Sequence, residues 1–350
     1  MKLVIFNIYI LMQICEITGS AFTLSSVLGT LHDPKLPSKC YGGDLSESLK
    51  SGVNDVIVVR QSDGTLKSTP LQARVGKLSG WRTLFKSREG KKAKLYVNNI
   101  RSLSEQNLIL SDSGSVFIHQ WRSVARCSFT NDEIQTMALN EGINEALLVV
   151  EDLDIELTFK IHLLSQDNRL VITDIDGTIT SSDVSGFIGG SIGVDVTHSG
   201  VVEFFDKVSS NGYIVVYLTA RPMLFDSVTR EYVFNTLQNI DSPTFVSYSM
   251  PRGPLFLSPI SAEAALTADA EVMKLSTLKS ILDLFNLKQD VVAGAYGNKN
   301  SDTEAYLNSG IRGGRIFLIN EDSQILNVET GNNSSYKLQA QQIDKYYPIK

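Results

Sequence analysis

Short apolar runs separated by polar turns fill the first half of the chain. A β-branched run at residues 56–59 is followed by the turn dipeptide Asp63-Gly64 and by a returning stretch at residues 66–75. This arrangement predicts a β-hairpin. Further short strands are predicted at residues 116–118, 146–151 and 155–164. We therefore expect residues 22–165 to form a mainly β region, built as a β-sandwich.

The pattern changes from about residue 169, where short continuous apolar runs alternate with helical periodicity. The predicted buried strands lie at residues 170–173, 213–218, 254–257, 291–296 and 315–319. Helices are predicted at residues 201–208, from about residue 224, and along the apolar stripe Val272, Leu275, Leu278, Ile281 or Leu282, and Phe285. Continuous apolar strands alternating with helices predict a parallel sheet with helices on both faces. The predicted fold class is α/β for residues 166–325, with residues 326–350 as a C-terminal tail.

Residues 1–21 stand apart from both regions. A positive start is followed by an apolar stretch at residues 3–15, and the small residues Gly19 and Ala21 stand two apart. This layout is typical of a secretory signal peptide, because a membrane span needs about 20 apolar residues. An uncleaved membrane-surface helix is the main alternative, and a core element is a third. No other stretch of the sequence has the apolar length that a spanning helix requires.

Composition limits the partners and the compartment. The 350 residues carry a net charge of −6 and 43% hydrophobic residues, which suits a globular protein of about two packed modules. Because proteins that bind the phosphate backbone usually have a net basic surface, we expect no nucleic acid partner. If residues 1–21 are removed, Cys40 and Cys127 remain. Two cysteines can pair in an oxidising compartment but are too few for a disulfide framework.

Two carboxylates stand directly after the first strand of the predicted parallel sheet, in the run Asp174-Ile175-Asp176-Gly177-Thr178. Open α/β sheets bind ligands beyond the carboxyl ends of their strands, so a site is expected here. Extended backbone presents Asp174 and Asp176 to the same side, and Gly177 permits a tight turn. One carboxylate is suited to attack phosphorus and the other to protonate the leaving alkoxide. An ordinary acidic strand-to-turn junction is the alternative.

Three further features follow in order at the ends of predicted elements. The run Thr219-Ala220-Arg221 ends the second buried strand, where it offers a hydroxyl, a backbone N–H and a guanidinium to phosphate oxygens. Lys274 supplies the cation that carboxylates facing a phosphate need. In the turn at residues 297–302, Asn298 and Asp302 offer oxygen ligands suited to Mg²⁺. Each feature alone also fits a strand end, a solvent-facing lysine or a helix cap, but their joint order favours phosphate-ester hydrolysis.

The order of these motifs resembles the haloacid-dehalogenase superfamily, and more closely the lipin phosphatidate phosphatases. The lipin-like segments are residues 55–65, 76–78, 174–180 with 183, 197–200, 211–213, 220–221, 251–254, 257–259, 271–274 and 297–302. They cover most of residues 25–320. Lipins usually have a long variable linker between their two conserved regions, and here that linker is nearly absent. They also lack a signal peptide.

The resemblance implies an immunoglobulin-like β-sandwich packed beside a Rossmann-like haloacid-dehalogenase core. It also implies Mg²⁺-dependent conversion of phosphatidate to diacylglycerol at a membrane surface. By this resemblance, Asp174 is the nucleophile and a metal ligand, and Asp176 is the general acid and base that offers its backbone carbonyl to the metal. The remaining residues are assigned to phosphoryl binding (Thr219, Lys274), to metal ligation or orientation (Asn298, Asp302) and to substrate binding (Gly177, Thr178, Ala220, Arg221).

A membrane-facing loop is also predicted within the β region. Its aromatic and apolar residues are interleaved with basic ones: Trp81, Arg82, Leu84, Phe85, Lys86, Arg88, Lys91, Lys92 and Lys94. Basic side chains attract anionic lipid and aromatic rings seat at the interface, so we expect peripheral association with anionic membranes. A solvated hairpin loop is the alternative.

Three functions compete. A phosphatidate phosphatase acting on phosphatidic acid with Mg²⁺ explains both halves of the chain. A catalytically silent phosphatidate-binding module is the alternative from another class, although Asp174, Asp176, Lys274 and Asn298 are all present. A soluble phosphatase of the same superfamily would need no membrane module. The expected location is membrane-associated: the endoplasmic reticulum or secretory pathway if residues 1–21 act as a signal, and otherwise the cytosol and the reticulum surface.

Overall fold

The computed structural model describes residues 51–76, 89–101, 108–111, 115–118, 126–181, 197–235, 237–239, 247–259, 269–286 and 290–350. The predicted signal-like segment, Cys40 and the aromatic part of the predicted membrane loop lie outside the described residues. No helix in the described part of the chain combines the length and apolarity needed to cross a bilayer.

Strands dominate the described residues up to Ser165. Seven strands form one sheet in the order β3-β2-β10-β9-β5-β7-β8, with β6 beside β5, while β1 pairs with β4. The antiparallel pairing of β2 with β3 confirms the predicted hairpin, although its returning arm ends at Ser68. The ten strands are β1 (Gly52–Val53), β2 (Val56–Arg60), β3 (Leu66–Ser68), β4 (Ala73–Arg74), β5 (Lys92–Val97), β6 (Ile100–Arg101), β7 (Leu108–Leu110), β8 (Val116–Ile118), β9 (Gly142–Val150) and β10 (Ile155–Ser165).

The second sheet has the order β15-β12-β11-β16-β17-β18-β19. Its first five strands are parallel, as predicted, and β18 and β19 add an antiparallel edge. Its strands are β11 (Arg169–Thr173), β12 (Tyr213–Pro222), β15 (Leu255–Ser258), β16 (Val292–Gly297), β17 (Ile316–Ile319), β18 (Ile325–Asn327) and β19 (Asn333–Ser334), and a separate pair is formed by β13 (Leu237–Asn239) and β14 (Ser247–Ser249).

The helices described pack mainly on the second sheet. They are α1 (Asn131–Thr136), which lies in the β region, and α2 (Val201–Ser210), α3 (Asp226–Asn235), α4 (Asp269–Leu284), α5 (Asn300–Asn308), α6 (Tyr336–Gln341) and α7 (Ile343–Tyr346). The apolar stripe predicted for α4 is correct at Leu278, Ile281 and Phe285 but wrong at Val272, which is 63% exposed. Lys274, in the second turn of α4, is instead buried and contacts Asp174 at the carboxyl end of β11.

The two sheets share a hydrophobic core, which explains the continuous apolar run in β2. Val56 and Val58 pack into the core of the β region, whereas Ile57 and Val59 pack against α4 and the second sheet. Successive strand residues point to opposite faces, so a strand covered on both sides needs apolar residues at every position. The β region and the α/β region therefore stabilise one another through β2.

Hydrogen bonds of polar side chains also connect the β region with the α/β region, at what is called the junction. Asn54 donates to the Leu257 carbonyl and accepts from the Leu257 N–H, so its side chain continues the edge of β15. Asp55, which is fully buried, accepts hydrogen bonds from Arg230 on α3 and from the backbone N–H of Lys160 and Leu255. The buried Asp55 carboxylate thus has partners in both regions, and a buried charge needs such partners.

Candidate active site

Asp174 follows β11 directly, at the carboxyl end of an interior strand of the parallel sheet. Its N–H donates to the Tyr296 carbonyl at 3.0 Å, which ties it to the neighbouring strand β16. The chain then turns at Gly177, whose φ of +80° favours glycine. Asp174 and Asp176 are both buried. The two carboxylates therefore lie at the carboxyl end of β11, largely shielded from water.

A buried lysine bridges two carboxylates. Lys274 Nζ donates to Asp174 Oδ1 at 2.7 Å and to Asp302 Oδ1 at 2.6 Å. Burial alone would lower the pKa of Lys274, but the two carboxylates outweigh it and raise that pKa, so the ammonium is charged. Burial raises the pKa of Asp174 to about 7; Lys274 opposes this effect, whereas the charges of Asp302 and Asp176 add to it. One lysine therefore compensates the buried acids incompletely.

Asp176 is held by the carboxyl end of β12. Arg221 Nε donates to Asp176 Oδ2 at 2.9 Å and an Arg221 terminal nitrogen donates to Oδ1 at 2.7 Å. Thr219 Oγ1 donates to Oδ2 at 3.3 Å. Such a bidentate pair fixes both the position and the orientation of a carboxylate. Arg221, expected at the substrate, thus contacts the second aspartate in this structure.

Asn298 and Asp302 shape the turn after β16. Asp302 Oδ2 accepts from the N–H groups of Asn298 and Lys299 at 3.1 and 3.0 Å, so this carboxylate orients the turn while its other oxygen holds Lys274. The Asn298 side chain lies against Gly177, where an added Cβ would come within 2.0 Å of its Nδ2. Asn298 Oδ1 is buried without a hydrogen-bond partner. A buried carbonyl oxygen left unpaired between two acidic turns is suited to a cation.

The structure brings almost all the predicted site residues together. Lys274 hydrogen-bonds to Asp174 and Asp302, and Thr219 and Arg221 hydrogen-bond to Asp176. Gly177 contacts Asn298, and Thr178 Oγ1 lies 3.5 Å from Asp174 Oδ2. Ala220 lies between Thr219 and Arg221 on β12. A cleft of about 550 Å³ opens beside Gly177 and Asn298 and extends to Leu326 on β18.

The turn at residues 174–180 carries the proposed catalytic residues Asp174 and Asp176 and is called the catalytic turn. Two of its contacts were not predicted. His198 contacts the Gly177 carbonyl, and Tyr336 donates to the Thr178 carbonyl. His198 belongs to a lipin-like segment, which is a usable signal, although its pattern does not reveal what the ring contacts. Tyr336 lies 158 positions from Thr178. Nothing local to its sequence distinguishes it from an ordinary core tyrosine.

Comparison with known families agrees with this geometry. The family model described as LNS2 (Lipin/Ned1/Smp2) matches residues 125–348, and the model of the lipin N-terminal conserved region matches residues 38–138. The chain belongs to the LNS2 family. The LNS2 match includes β9 and β10 of the β region as well as the whole of the second sheet, so the family's conserved unit crosses the boundary between the two regions.

Curated relatives of this LNS2 chain include phosphatidate phosphatases. Nuclear elongation and deformation protein 1 of Schizosaccharomyces pombe is 32% identical over 71% of this chain and 37% of its own length. Phosphatidic acid phosphohydrolase 1 of Saccharomyces cerevisiae is 32% identical over 65% of this chain and 28% of its own. Phosphatidate phosphatase LPIN2 of Homo sapiens is 30% identical over 63% and 25%. The matched region is thus about a quarter to a third of each relative.

Proposed function

We propose that this protein is a Mg²⁺-dependent phosphatidate phosphatase that hydrolyses phosphatidic acid to diacylglycerol and phosphate. The observation that carries the proposal is the buried Lys274, which bridges Asp174 and Asp302 beside a second aspartate, Asp176. A charged lysine between acids at the carboxyl end of a parallel sheet is suited to receive a phosphoryl group. The names of the relatives support phosphatidate as the substrate.

The proposed chemistry has two steps. In the first, an Asp174 oxygen bonds to phosphorus, the bond from phosphorus to the glycerol oxygen breaks, and a proton on Asp176 passes to the departing alkoxide. In the second, Asp176 takes a proton from a water molecule, whose oxygen bonds to the phosphorus of the aspartyl-phosphate while the bond from phosphorus to the Asp174 oxygen breaks. This step releases inorganic phosphate and restores the Asp174 carboxylate. Lys274 neutralises the phosphoryl oxygens in both steps, and Thr219 and Arg221 hold Asp176 in line.

The donor set fits Mg²⁺. The unpaired Asn298 Oδ1, the Asp174 carboxylate and the Asp176 backbone carbonyl are the hard oxygen ligands that Mg²⁺ prefers. Asp302 has both oxygens engaged and would orient this set. When bound, the metal would supply positive charge that keeps Asp174 ionised and attracts the phosphate.

The architecture proposed for this function is a haloacid-dehalogenase-like core, which contains the second sheet, beside an immunoglobulin-like β-sandwich, which corresponds to the β region. The cleft beside Gly177 supports a substrate with a bulky leaving group, because it combines polar walls with the apolar Leu326. We also propose peripheral association with anionic membranes, at the cytosolic or reticulum surface unless residues 1–21 act as a secretory signal. A silent binding module is disfavoured because Asp174 and Asp176 are both present, Asp174 in contact with Lys274 and Asp176 with Arg221.

The test is phosphate release by the purified protein from phosphatidate in mixed micelles. We expect turnover that is removed by EDTA and restored by Mg²⁺. A soluble aryl phosphate, assayed in parallel, separates the candidates. Turnover of the aryl phosphate without any turnover of phosphatidate would favour a soluble phosphatase, and binding of phosphatidate vesicles without turnover of either substrate would favour the silent binding module.

A further inference from the structure

Two side chains that take no part in the chemistry described above form hydrogen bonds to backbone carbonyls of the catalytic turn. His198 Nε2 lies 3.2 Å from the Gly177 carbonyl, and the Tyr336 hydroxyl donates to the Thr178 carbonyl at 3.0 Å. Both side chains are buried. A carbonyl can only accept a hydrogen bond, so Nε2 of His198 carries the proton. With a neutral ring, which burial favours by lowering the pKa of His198, Nδ1 accepts from the Ser323 hydroxyl at 2.8 Å.

These two bonds fix the direction of successive peptide groups. A trans peptide points its N–H opposite to its carbonyl. The N–H groups of Thr178 and Ile179, which follow the two held carbonyls, both point to the Ile175 carbonyl, at 3.3 and 2.9 Å. Hydrogen bonds therefore fix the turn through both its carbonyl and its N–H groups, and Asp174 and Asp176 lie at its start. Because catalytic groups lose much of their effect when displaced by about 1 Å, these hydrogen bonds should affect the rate.

Tyr336 lies on α6, in the segment that the sequence indicated only as a tail. This C-terminal segment, residues 336–347, also contacts Tyr296, which lies just before the turn that contains Asn298. The Tyr296 hydroxyl donates to Gln339 Oε1 at 2.7 Å and therefore accepts from the Tyr347 hydroxyl, also 2.7 Å away. Tyr296 precedes Asn298 by two residues, and its carbonyl accepts from Asp174 N–H. One segment thus contacts the supports of both the Asp174 turn and the Asn298 turn.

Two glycines make room for this segment. A Cβ at Gly294 on β16 would lie 2.0 Å from the Tyr347 hydroxyl. A Cβ at Gly200 would lie 2.7 Å from Lys337 Cγ and 3.0 Å from its backbone nitrogen. Gly200 and His198 belong to the same lipin-like segment, residues 197–200, to which the proposed chemistry gives no role. Within residues 197–200, His198 contacts the catalytic turn, and Gly200 leaves space for the C-terminal segment.

We propose that Tyr336 and His198 are positioning residues, which hold the Thr178 and Gly177 carbonyls so that Asp174 and Asp176 meet the phosphoryl group in line. The inference rests on the proposed phosphatase function and deepens it: the C-terminal segment is part of the active-site framework. Neither residue touches substrate. Their loss should therefore lower kcat while leaving the KM for substrate nearly unchanged.

The test compares two deletions of a buried hydroxyl within the same segment. Tyr336→Phe removes the bond to the catalytic turn, whereas Tyr347→Phe removes a bond to the Tyr296 side chain only. We expect both to lower the melting temperature similarly, by about 2–4 °C. Only Tyr336→Phe should lower kcat by about tenfold, with KM within about twofold of the wild-type value, on a soluble aryl phosphate and on phosphatidate in micelles. Tyr346→Phe, whose hydroxyl has no hydrogen bond to another described residue, serves as the unperturbed control.

A conservative substitution at the second anchor adds an independent readout. His198→Gln retains an amide N–H able to donate to Gly177, whereas His198→Leu does not. We expect the Gln variant to keep several times more kcat than the Leu variant at equal folded fraction. Equal kcat losses in Tyr336→Phe and Tyr347→Phe, or no loss in either, would overturn the positioning role. A wild-type protein inactive on both substrates would overturn the phosphatase function itself and this inference with it.

Discussion

Asp55 and Asp174 are both aspartates in the interior, and their surroundings differ in how completely they are paired. Asp55, at the junction of the two regions, accepts from Arg230 and from two backbone N–H groups. Burial alone would raise its pKa, but these partners, with His162, outweigh burial and hold the pKa well below the usual range. Asp174 shares a single lysine with Asp302, and its pKa is raised to about 7.

The difference distinguishes a structural charge from a reactive one. A fully paired carboxylate has nothing left to offer a ligand, and its removal leaves its partners uncompensated. An incompletely paired carboxylate, next to an unpaired amide oxygen on Asn298, has capacity for a cation and a phosphate. Stability should therefore depend on Asp55 and turnover on Asp174, and substitutions can separate the two.

The largest expected effect is on turnover. Asp174→Asn should lower phosphate release by about a thousandfold or more, because an amide cannot attack phosphorus. Its melting temperature should stay close to that of the wild type, since the amide removes an under-compensated buried charge. Steady-state assays beside a thermal melt would check both points. Substantial turnover by the purified variant would exclude Asp174 as the nucleophile.

The complementary substitution tests the junction. Asp55→Ala should cost about 3–5 kcal/mol of unfolding free energy, because it leaves the Arg230 guanidinium buried without its carboxylate partner. Turnover per folded molecule should change little. Asp63→Ala, at an exposed aspartate of the adjoining hairpin turn, is the matched control; it removes only hydrogen bonds to Thr65 within that turn and should cost about 1 kcal/mol or less. Chemical denaturation would give both values, and equal stability of the two variants would contradict the comparison.

The sequence predicted which residues meet at the candidate site better than it predicted the junction. Asp174 and Asn298 follow strands of one parallel sheet or stand at their ends, and Thr219 lies near the carboxyl end of β12. The carboxyl ends of such strands meet at one edge, so local order was sufficient to place these residues together. Asp55 and Arg230 are separated by 175 positions, and only the packing of the two sheets brings them together. Val272 was assigned wrongly because helical periodicity cannot show that the beginning of α4 buries Lys274 rather than Val272.

A smaller effect is expected at the proposed metal ligand. Asn298→Ala should raise the Mg²⁺ concentration for half-maximal activity by about 10–100-fold, the range typical of weakened metal ligation. A Mg²⁺ titration of activity would measure this shift. Asn320→Ala is the matched control, because its amide lies in the same cleft but bonds within its own turn. An unchanged Mg²⁺ requirement in Asn298→Ala would remove this residue from the ligand set.

The smallest expected effect concerns membrane docking, where charge pairing again separates one set of residues from another. Lys91 lies 3.0 Å from Asp152 and Lys94 lies 2.5 Å from Glu151, whereas Lys92 is exposed. Lysines that already face acids should attract anionic lipid less than lysines that do not. The predicted membrane loop therefore contains two lysines that face acids, Lys91 and Lys94, and the exposed Lys92. Lys86, also part of the predicted loop, lies outside the described residues.

Two double variants test this division. Lys86→Ser with Lys92→Ser should weaken cosedimentation with phosphatidylserine-containing vesicles by about 1 kcal/mol for each lysine, a loss that shrinks as salt is raised. Lys91→Ser with Lys94→Ser should weaken it less, because those lysines give up a surface ion pair together with their attraction to lipid. Hydrolysis of a soluble aryl phosphate should be unchanged in both, since every residue proposed for the chemistry lies at or after Asp174. Equal losses of vesicle binding would show that pairing with Asp152 and Glu151 does not screen these lysines. No loss in either variant would remove this loop from membrane docking and leave the β region with a purely structural role at the junction.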